Sequence, residues 1–526
     1  MSFRLVSSRP VPGICPNRYR RLRRDYGGDI LAGVPVPYAL PIELTRDDLV
    51  VIGGSYLRTE LKEALHGSKN MPLWLDRPDR PQTAPCLSAR VETGLAIVGA
   101  GFTGLWAALL AKEAHPDLDV VLIEAGSVGD GASGRNGGCV STTLTHYQSN
   151  CDLGLPEGEP EMATLGRQNA EGFLDDLKRC RMQVDYEPTG YLHVAVQADQ
   201  IRALQALYEL DQKSGTASVL LDREAVQKEV ASPAFLAGHW DKQTRLGILH
   251  PGKLVDGLRE AACKRGVSLY ENSLLTQLAA ADSGSDILLT SAHGQIRARK
   301  VFLATHAYPS LLPQTRRSLM APIWEYTLAT EPLSEAQVAS IAWSGRQCIS
   351  GEENFFHYYR LTSDNRIMIG GGVPDFFLSN SGRFIDQDDP ASFEGIAFYF
   401  FTIFPQLKGL RFSHRWSGAI GASRDHSLHF GQAMNDRVVW VQGYSGQGVT
   451  PCRFGARGGL ALLGLGETEL ARLAFVQRRP VHWPPHLLRW LGANITFSAL
   501  EKADRNQGKK GLWLKMLDRT GFGIKI

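Results

Sequence analysis

The chain has 526 residues, with 57 Lys+Arg against 54 Asp+Glu and a formal net charge of +3. Its hydrophobic fraction of 43% and charged fraction of 21% are those of a globular protein and exclude a mainly disordered chain, while so even a charge excludes nucleic-acid binding by bulk field. The 54 glycines, about one residue in ten, exceed the usual ~7% and lack the period of collagen, so they belong to turns or ligand loops.

Residues 1–70 read as an irregular basic extension. Pro10, Pro12, Pro16, Pro35, Pro37 and Pro41 break any long helix. Arg18, Arg20, Arg21, Arg23 and Arg24 form a basic cluster, expected to be a solvated arm, with contact to an anionic surface the alternative. After a Pro-rich connector at 72–81 come a strand at 95–98, a helix at about 103–114 and a strand at 120–124. That order, with apolar strands that do not alternate, predicts a parallel sheet covered on both faces. A mainly helical stretch follows at 160–232, with a β segment at 190–196. Then come a helix at 253–264, strands at 267–270, near Leu288 and at 301–304, a β-rich aromatic stretch at 320–420, and a polar tail beyond Gly466. No run of eighteen apolar residues occurs, so no membrane-spanning helix is expected. The eight cysteines (Cys15, Cys86, Cys139, Cys151, Cys180, Cys263, Cys348 and Cys452) form no CxxC pair. That argues against a metal site or a dithiol motif and for a reducing, cytoplasmic setting.

Gly99, Gly101 and Gly104 form GxGxxG between the first strand and its helix, the context this fingerprint needs. The glycines allow a tight turn, a close pyrophosphate and close helix–strand packing. Phe102 and Thr103 open the helix, whose free N–H groups face the phosphates. Glu124, twenty residues after Gly104 and followed by Ala125, is placed to accept from ribose hydroxyls. A second glycine loop, 129–138, starts five residues later and interleaves Ser133, Arg135 and Asn136 with Gly137 and Gly138. A nicotinamide needs no loop there. A flavin, three rings on a ribityl chain, needs close backbone over a longer path. The strand at 301–305 ends in Thr305, suited to pass beneath a pyrophosphate. A third loop carries Gly443, Tyr444, Gly446, Gly448 and Val449 and leads into an Ala/Leu-rich helix. The N-terminus of that helix would stabilise negative charge on the N1–C2=O edge of a reduced flavin.

These loops, together with His250-Pro-Gly-Lys-Leu254, Leu303-Ala-Thr-His-Ala-Tyr308 and Arg415-Trp-Ser-Gly418, resemble the D-amino-acid-oxidase superfamily of FAD-dependent oxidoreductases. Within it they are most similar to the gamma-glutamylputrescine-oxidising type. The resemblance runs from about Pro72 to the end. It implies an α/β fold in which a Rossmann-like FAD-binding domain with a parallel sheet (71–150, 245–318 and 412–466) is interleaved with a β-sheet substrate domain (151–244 and 319–411). A tail (467–526) follows. It also implies an adenine contact near Leu275. Some relatives attach the flavin through a cysteine just before the last FAD segment; 416–423 has none, so the FAD is expected to be non-covalent.

The implied reaction moves a hydride from the carbon beside an amine nitrogen to flavin N5. The imine then hydrolyses, and O2 or another acceptor takes the electrons, O2 giving H2O2. Only a neutral amine assists hydride loss, and an aromatic, poorly hydrated wall favours that form. The aromatic run 355–360, with Trp324, Tyr326 and Trp416, offers such a wall, Tyr359 among it. For any one of these residues an ordinary sheet core is the competing reading. Arg360 is a candidate partner for a substrate carboxylate, and His357 and His414 are candidate bases. The alternatives are an amino-acid or N-methyl amino-acid oxidase or dehydrogenase, an NAD-dependent dehydrogenase, and a non-catalytic flavin-binding protein.

Overall fold

The computed structural model describes residues 43–44, 48–51, 54–144, 158–243, 245–281, 286–308, 311–312, 319–377 and 388–519. The arginine cluster at 18–24 and the prolines at 10–41 lie outside the described residues.

The chain is an α/β protein built on two large sheets. The first has eight strands. Ser268–Tyr270, Val120–Ile123, Arg90–Val98 and Gln295–Leu303 lie side by side and parallel. Ile287–Ser291 and Leu275–Ala280 continue antiparallel from Gln295–Leu303. Val438–Gln442 pairs in parallel with the last part of Gln295–Leu303, and His429–Ala433 lies beyond it. The last six residues of Arg90–Val98 are all buried, as expected for a strand covered on both faces. Helices Phe102–Ala114, Pro251–Lys264 and Pro451–Leu462 pack against one face. Leu105, Trp106, Ala107, Ala108 and Leu109 are each 0% exposed, so the first of these helices has no polar stripe. Each such fully buried Leu contributes about 1.5–3 kcal/mol.

The second sheet has nine strands, in the order Lys69–Asn70, Phe412–Ala422, Ala321–Thr330, Ile367–Asp375, His357–Leu361, Cys348–Gly351, Tyr191–Ala195, Ala237–Asp241 and Ser218–Leu221. It is mainly antiparallel, so each strand offers alternate residues to two unlike faces. One face buries Tyr326, Leu328, Ile349, Tyr359 and Leu361 against the phenylalanines of helix Pro390–Ile403. The other is polar. The pairings Thr327–Gly370, Gly370–Tyr358, Tyr358–Ser350, Ser350–His193 and His193–His239 place those residues on one side. Glu325, two residues before Thr327, shares that side. The register shifts between Trp324 and Tyr326, so Glu325 stands at a bulge, a device that re-aims side chains at sites.

Several expectations change. The strand Phe412–Ala422, grouped by sequence with the FAD segments, pairs along Ala321–Thr330 in the second sheet. The stretch read as β-rich contains the helix Pro390–Ile403, capped by Asp389, whose side chain accepts from Ser392 N. The tail is folded: helices His486–Arg505 and Leu512–Arg519 lie together, with Trp513 Nε1 donating to Thr496 Oγ1 at 3.0 Å and Leu514 buried beside Phe497 and Leu500. Cys139 and Cys348, 209 residues apart, form a disulfide that ties the second glycine loop to the second sheet. That pair removes the ground on which a reducing compartment was expected. Among the described residues no helix is long and apolar enough to cross a membrane.

Candidate functional site

A cavity of about 1850 Å³ is lined from both sheets. Sites for one drug-sized ligand run to ~300–1,000 Å³, so this one has room for a large dinucleotide and a second molecule. Of the residues assigned to FAD from sequence, all but Gly104 and Gly443 line it: Gly99, Gly101, Phe102, Thr103, Glu124, Ala125, Ser133, Arg135, Asn136, Gly137, Gly138, Leu275, Thr305, Tyr444, Gly446, Gly448 and Val449.

The first glycine loop is built by close approach. Gly99 has φ of +100°, and a Cβ there would lie 2.7 Å from the Ala304 carbonyl oxygen. A Cβ on Gly104 would fall on the Gly99 carbonyl oxygen. Neither position tolerates a side chain with the turn intact. Glu124 accepts from Ala100 N at 2.7 Å and from Gly126 N at 3.0 Å; burial pushes its carboxyl pKa up against those two bonds.

The second loop is braced by its own side chains. Ser133 Oγ accepts from Phe102 N at 2.8 Å, tying this loop to the start of the helix. Asn136 accepts from Gly138 N at 2.8 Å and donates to Ala132 O and Ser133 O. Arg135 donates to Asp130 O and Ser417 O. The third loop closes on the first: Thr103 Oγ1 donates to the Tyr444 hydroxyl at 2.7 Å. Thr305 Oγ1 is buried in the lining with no hydrogen-bond partner, and Gly446 has open space where a side chain would stand. An unmet hydroxyl and a side-chain-free wall are what a pyrophosphate and a flat ring system require, so the residues fit FAD.

The four residues singled out for chemistry lie elsewhere. His357, Tyr359, Arg360 and Trp416 are all absent from the lining. His357 and Tyr359 sit on the opposite face of their strand. His357 stacks on Tyr399 at 3.7 Å between ring centroids, and burial drops its pKa to about 3. Tyr359 packs on Phe235, Trp343 and Phe404. Trp416 is 1% exposed and donates from Nε1 to Arg135 O at 2.9 Å, so it braces the second loop. His414 is paired with Asp76 at 3.0 Å. Trp324 packs with Ala307 and Ala419, and Tyr326 donates to Asp375 in the core. Of the aromatic wall, Phe355, Phe356 and Tyr358 face the cavity.

Arg360 is on the polar face but only 2% exposed. It donates to the carbonyls of Gly137, Leu249 and Leu361 and lies 5.4 Å from the Trp74 ring centroid; burial lowers its pKa to about 9. It fastens the glycine loop instead of meeting a substrate carboxylate. Truncation in Arg360→Ala takes this donor from three carbonyls, those of Gly137, Leu249 and Leu361, and a buried carbonyl left unpaired costs about 1–3 kcal/mol. The expected result is a lower Tm and faster flavin loss, with an unchanged KM ratio between a carboxylate-bearing amine and its decarboxylated analogue. A KM rise confined to the carboxylate-bearing substrate would restore the substrate role.

The group that sequence reasoning missed is Glu325. It lines the cavity from the bulge, and burial pushes its pKa to about 7. Tyr358 Oη donates toward Glu325 Oε2 at 3.5 Å. The Tyr358 ring lies against the second loop, 2.9 Å from where a Gly137 Cβ would stand. Across the neighbouring strand, Glu325 is opposite Gly418, where a Cβ would be 3.4 Å from Arg135 Cβ. The carboxyl and the tyrosine are thus set against the glycine loop itself. Farther along the same face stand His193, paired with Glu352 at 2.8 Å, and His239, paired with Asp211 at 2.8 Å. The cavity is therefore more acidic than an aromatic wall implied. One signal was available: Glu325 is a lone carboxylate in the apolar strand Ala321–Thr330.

Residues 95–457 match the protein family described as FAD dependent oxidoreductase (DAO). Gamma-glutamylputrescine oxidoreductase of Escherichia coli (strain K12) is 32% identical over 372 residues, covering 69% of this chain and 82% of that protein. A probable oxidoreductase OrdL of Haemophilus influenzae is 26% identical over 382 residues, covering 69% of this chain and 81% of that protein. Among solved structures, glycine oxidase from Geobacillus kaustophilus aligns over 74% of this chain and 100% of its own, with a TM-score of 0.61 and 18% identity, a likeness of fold.

Proposed function

The chain belongs to the FAD dependent oxidoreductase family, and from that premise we propose that it oxidises the C–N bond of a small primary or secondary amine. When bound, the flavin supplies the hydride acceptor at N5 and passes the electrons on, here to dioxygen with release of hydrogen peroxide. The loop at Gly99–Thr103 and Thr305 would hold the pyrophosphate, Glu124 the ribose, and Arg135–Gly138 with Gly446–Val449 the ring system.

This chain's own chemistry is proton handling. An amine arrives largely as ammonium, whose pKa is near ~10, and an ordinary carboxyl near ~4.3 is a poor acceptor for its proton. Glu325, held at about 7, is better matched. Its carboxylate binds the ammonium and takes one N–H proton at Oε2. The nitrogen lone pair so freed assists loss of the hydride from the adjacent carbon. Tyr358 donates to the carboxylate and fixes its direction. The imine leaves the site to hydrolyse to a carbonyl compound and an amine or ammonia.

The observation that carries this reading is a titratable carboxyl facing the cavity at a bulge, with its tyrosine partner lying on the glycine loop. Anaerobic mixing of the flavin-loaded protein with a series of diamines, glutamylated diamines, monoamines and N-methyl amino acids tests it. Bleaching of the flavin by at least one amine, with peroxide on admitting air, is expected. Bleaching by none overturns it.

The same reading keeps the flavin non-covalent. Among the described residues the cysteines lining the cavity are Cys139, which is in the disulfide, and Cys452, whose thiol burial pushes up to about 12. Acid precipitation is expected to leave the yellow colour in the supernatant; a yellow pellet would contradict it.

A further inference from the structure

We propose that the C-terminal helix pair is a docking face for an anionic phospholipid surface, on which the protein lies without crossing it. Eleven large hydrophobic residues are exposed among the described residues, and six stand on these two helices. Leu487, Leu491 and Ile495 repeat at four-residue spacing on His486–Arg505, with Leu488 beside them. Leu512, 89% exposed, and Met516 repeat at the same spacing on Leu512–Arg519. The inner sides of the same helices are buried through Phe497, Leu500, Ala503 and Leu514. The Trp513–Thr496 hydrogen bond holds the two helices side by side. Each helix is therefore amphipathic twice over, with an inner apolar side that is covered and an outer one facing water.

Charge selects the occupant. On the two helices and their link, residues 486–519, there are seven Lys and Arg, of which Arg489 is buried, against three acids, Glu501, Asp504 and Asp518. Lys509, Lys515 and Arg519 are exposed around Leu512 and Met516, as is Lys510, which is paired with Asp518 at 2.9 Å. Protein–protein patches are rich in aromatics and arginine and poor in lysine at their centres. Aliphatic residues flanked by lysines are the composition of a helix lying in a lipid headgroup layer, and anionic lipid attracts each such cation. Neither helix meets the length and apolarity of a span. Leu488 is both 61% exposed and part of the cavity lining, so the cavity opens beside this face.

The test is co-sedimentation of the full-length, flavin-loaded protein with vesicles of equimolar phosphatidylglycerol and phosphatidylcholine, and with phosphatidylcholine alone. Strong binding to the first and at least roughly tenfold weaker binding to the second is expected. Leu491→Glu/Leu512→Glu should lose roughly tenfold or more of that binding while keeping its flavin and far-UV circular dichroism. Lys509→Glu/Lys515→Glu should lose the preference for phosphatidylglycerol. Three outcomes overturn the proposal. The wild type stays in the supernatant with both vesicles, both variants bind as the wild type does, or the protein forms a dimer that Leu491→Glu/Leu512→Glu dissociates while vesicles are ignored. The last outcome assigns the face to a second copy of the chain. None of these readings depends on which amine is oxidised.

Discussion

Glu325→Gln is expected to lower kcat/KM for the amine substrate by roughly 10²–10⁴, the usual worth of a positioned base. The amide keeps the size of the carboxyl and can still bond to Tyr358, so flavin content and Tm should stay close to those of the wild type. The pH profile gives the sharper readout. Burial raises the Glu325 pKa from the ordinary carboxyl range to about 7, with Tyr358 opposing the shift. Below that value the group is protonated and cannot accept from an ammonium; above it the carboxylate is available. In the wild type, kcat/KM should therefore rise with pH through about 7. In Glu325→Gln that limb should vanish, leaving only the limb set by the substrate's own ammonium. Tyr358→Phe, which alters how the carboxyl is held, should move the limb without abolishing it. A variant retaining the wild-type limb at about 7 would assign the proton transfer to another group.

Gly104→Ala should weaken the hold on the flavin. The added methyl falls on the Gly99 carbonyl oxygen, so either the helix start or the turn at Gly99 must move. Overpacking of this kind costs about 1–3 kcal/mol, and each 1.4 kcal/mol is about tenfold in affinity. FAD binding roughly 10–100-fold weaker is expected, read as visible absorbance relative to protein and as reconstitution with added FAD. The rest of the first sheet is untouched, so the far-UV spectrum should persist. Full retention of flavin would mean that this loop is not the cradle.

The two halves of the site were not equally legible in the sequence. The cradle was readable because its signals are local. Gly99, Gly101 and Gly104 sit between a strand and a helix that can be identified from adjacent residues, and Glu124 follows at a fixed distance. The reacting side was not readable, because which face a strand residue serves depends on partner strands far away in sequence. Tyr358 reaches the cavity, whereas His357 and Tyr359, one step to either side, point into the phenylalanine core. A shift of one residue in phase exchanges the two sets. Glu325 was hidden for a related reason: the bulge between Trp324 and Tyr326 appears only once Ile367–Asp375 is paired. Arg360 was misjudged because its partners, the carbonyls of Gly137, Leu249 and Leu361, are main-chain atoms that no composition signals. In the tail, proline and charge masked two helices whose inner sides pack on the body.

The hydrogen bond from Thr103 to Tyr444 joins groups 341 residues apart. At about 5–20 residues per second of synthesis, the first glycine loop waits roughly 20–70 s for the segment that closes it. Until then its strand and helix have neither the Val438–Gln442 strand nor the Pro451–Leu462 helix beside them. Flavin capture is therefore a late event in the life of each chain. A truncation that spares both of the first two loops but stops before Gly443 should yield a polypeptide without colour.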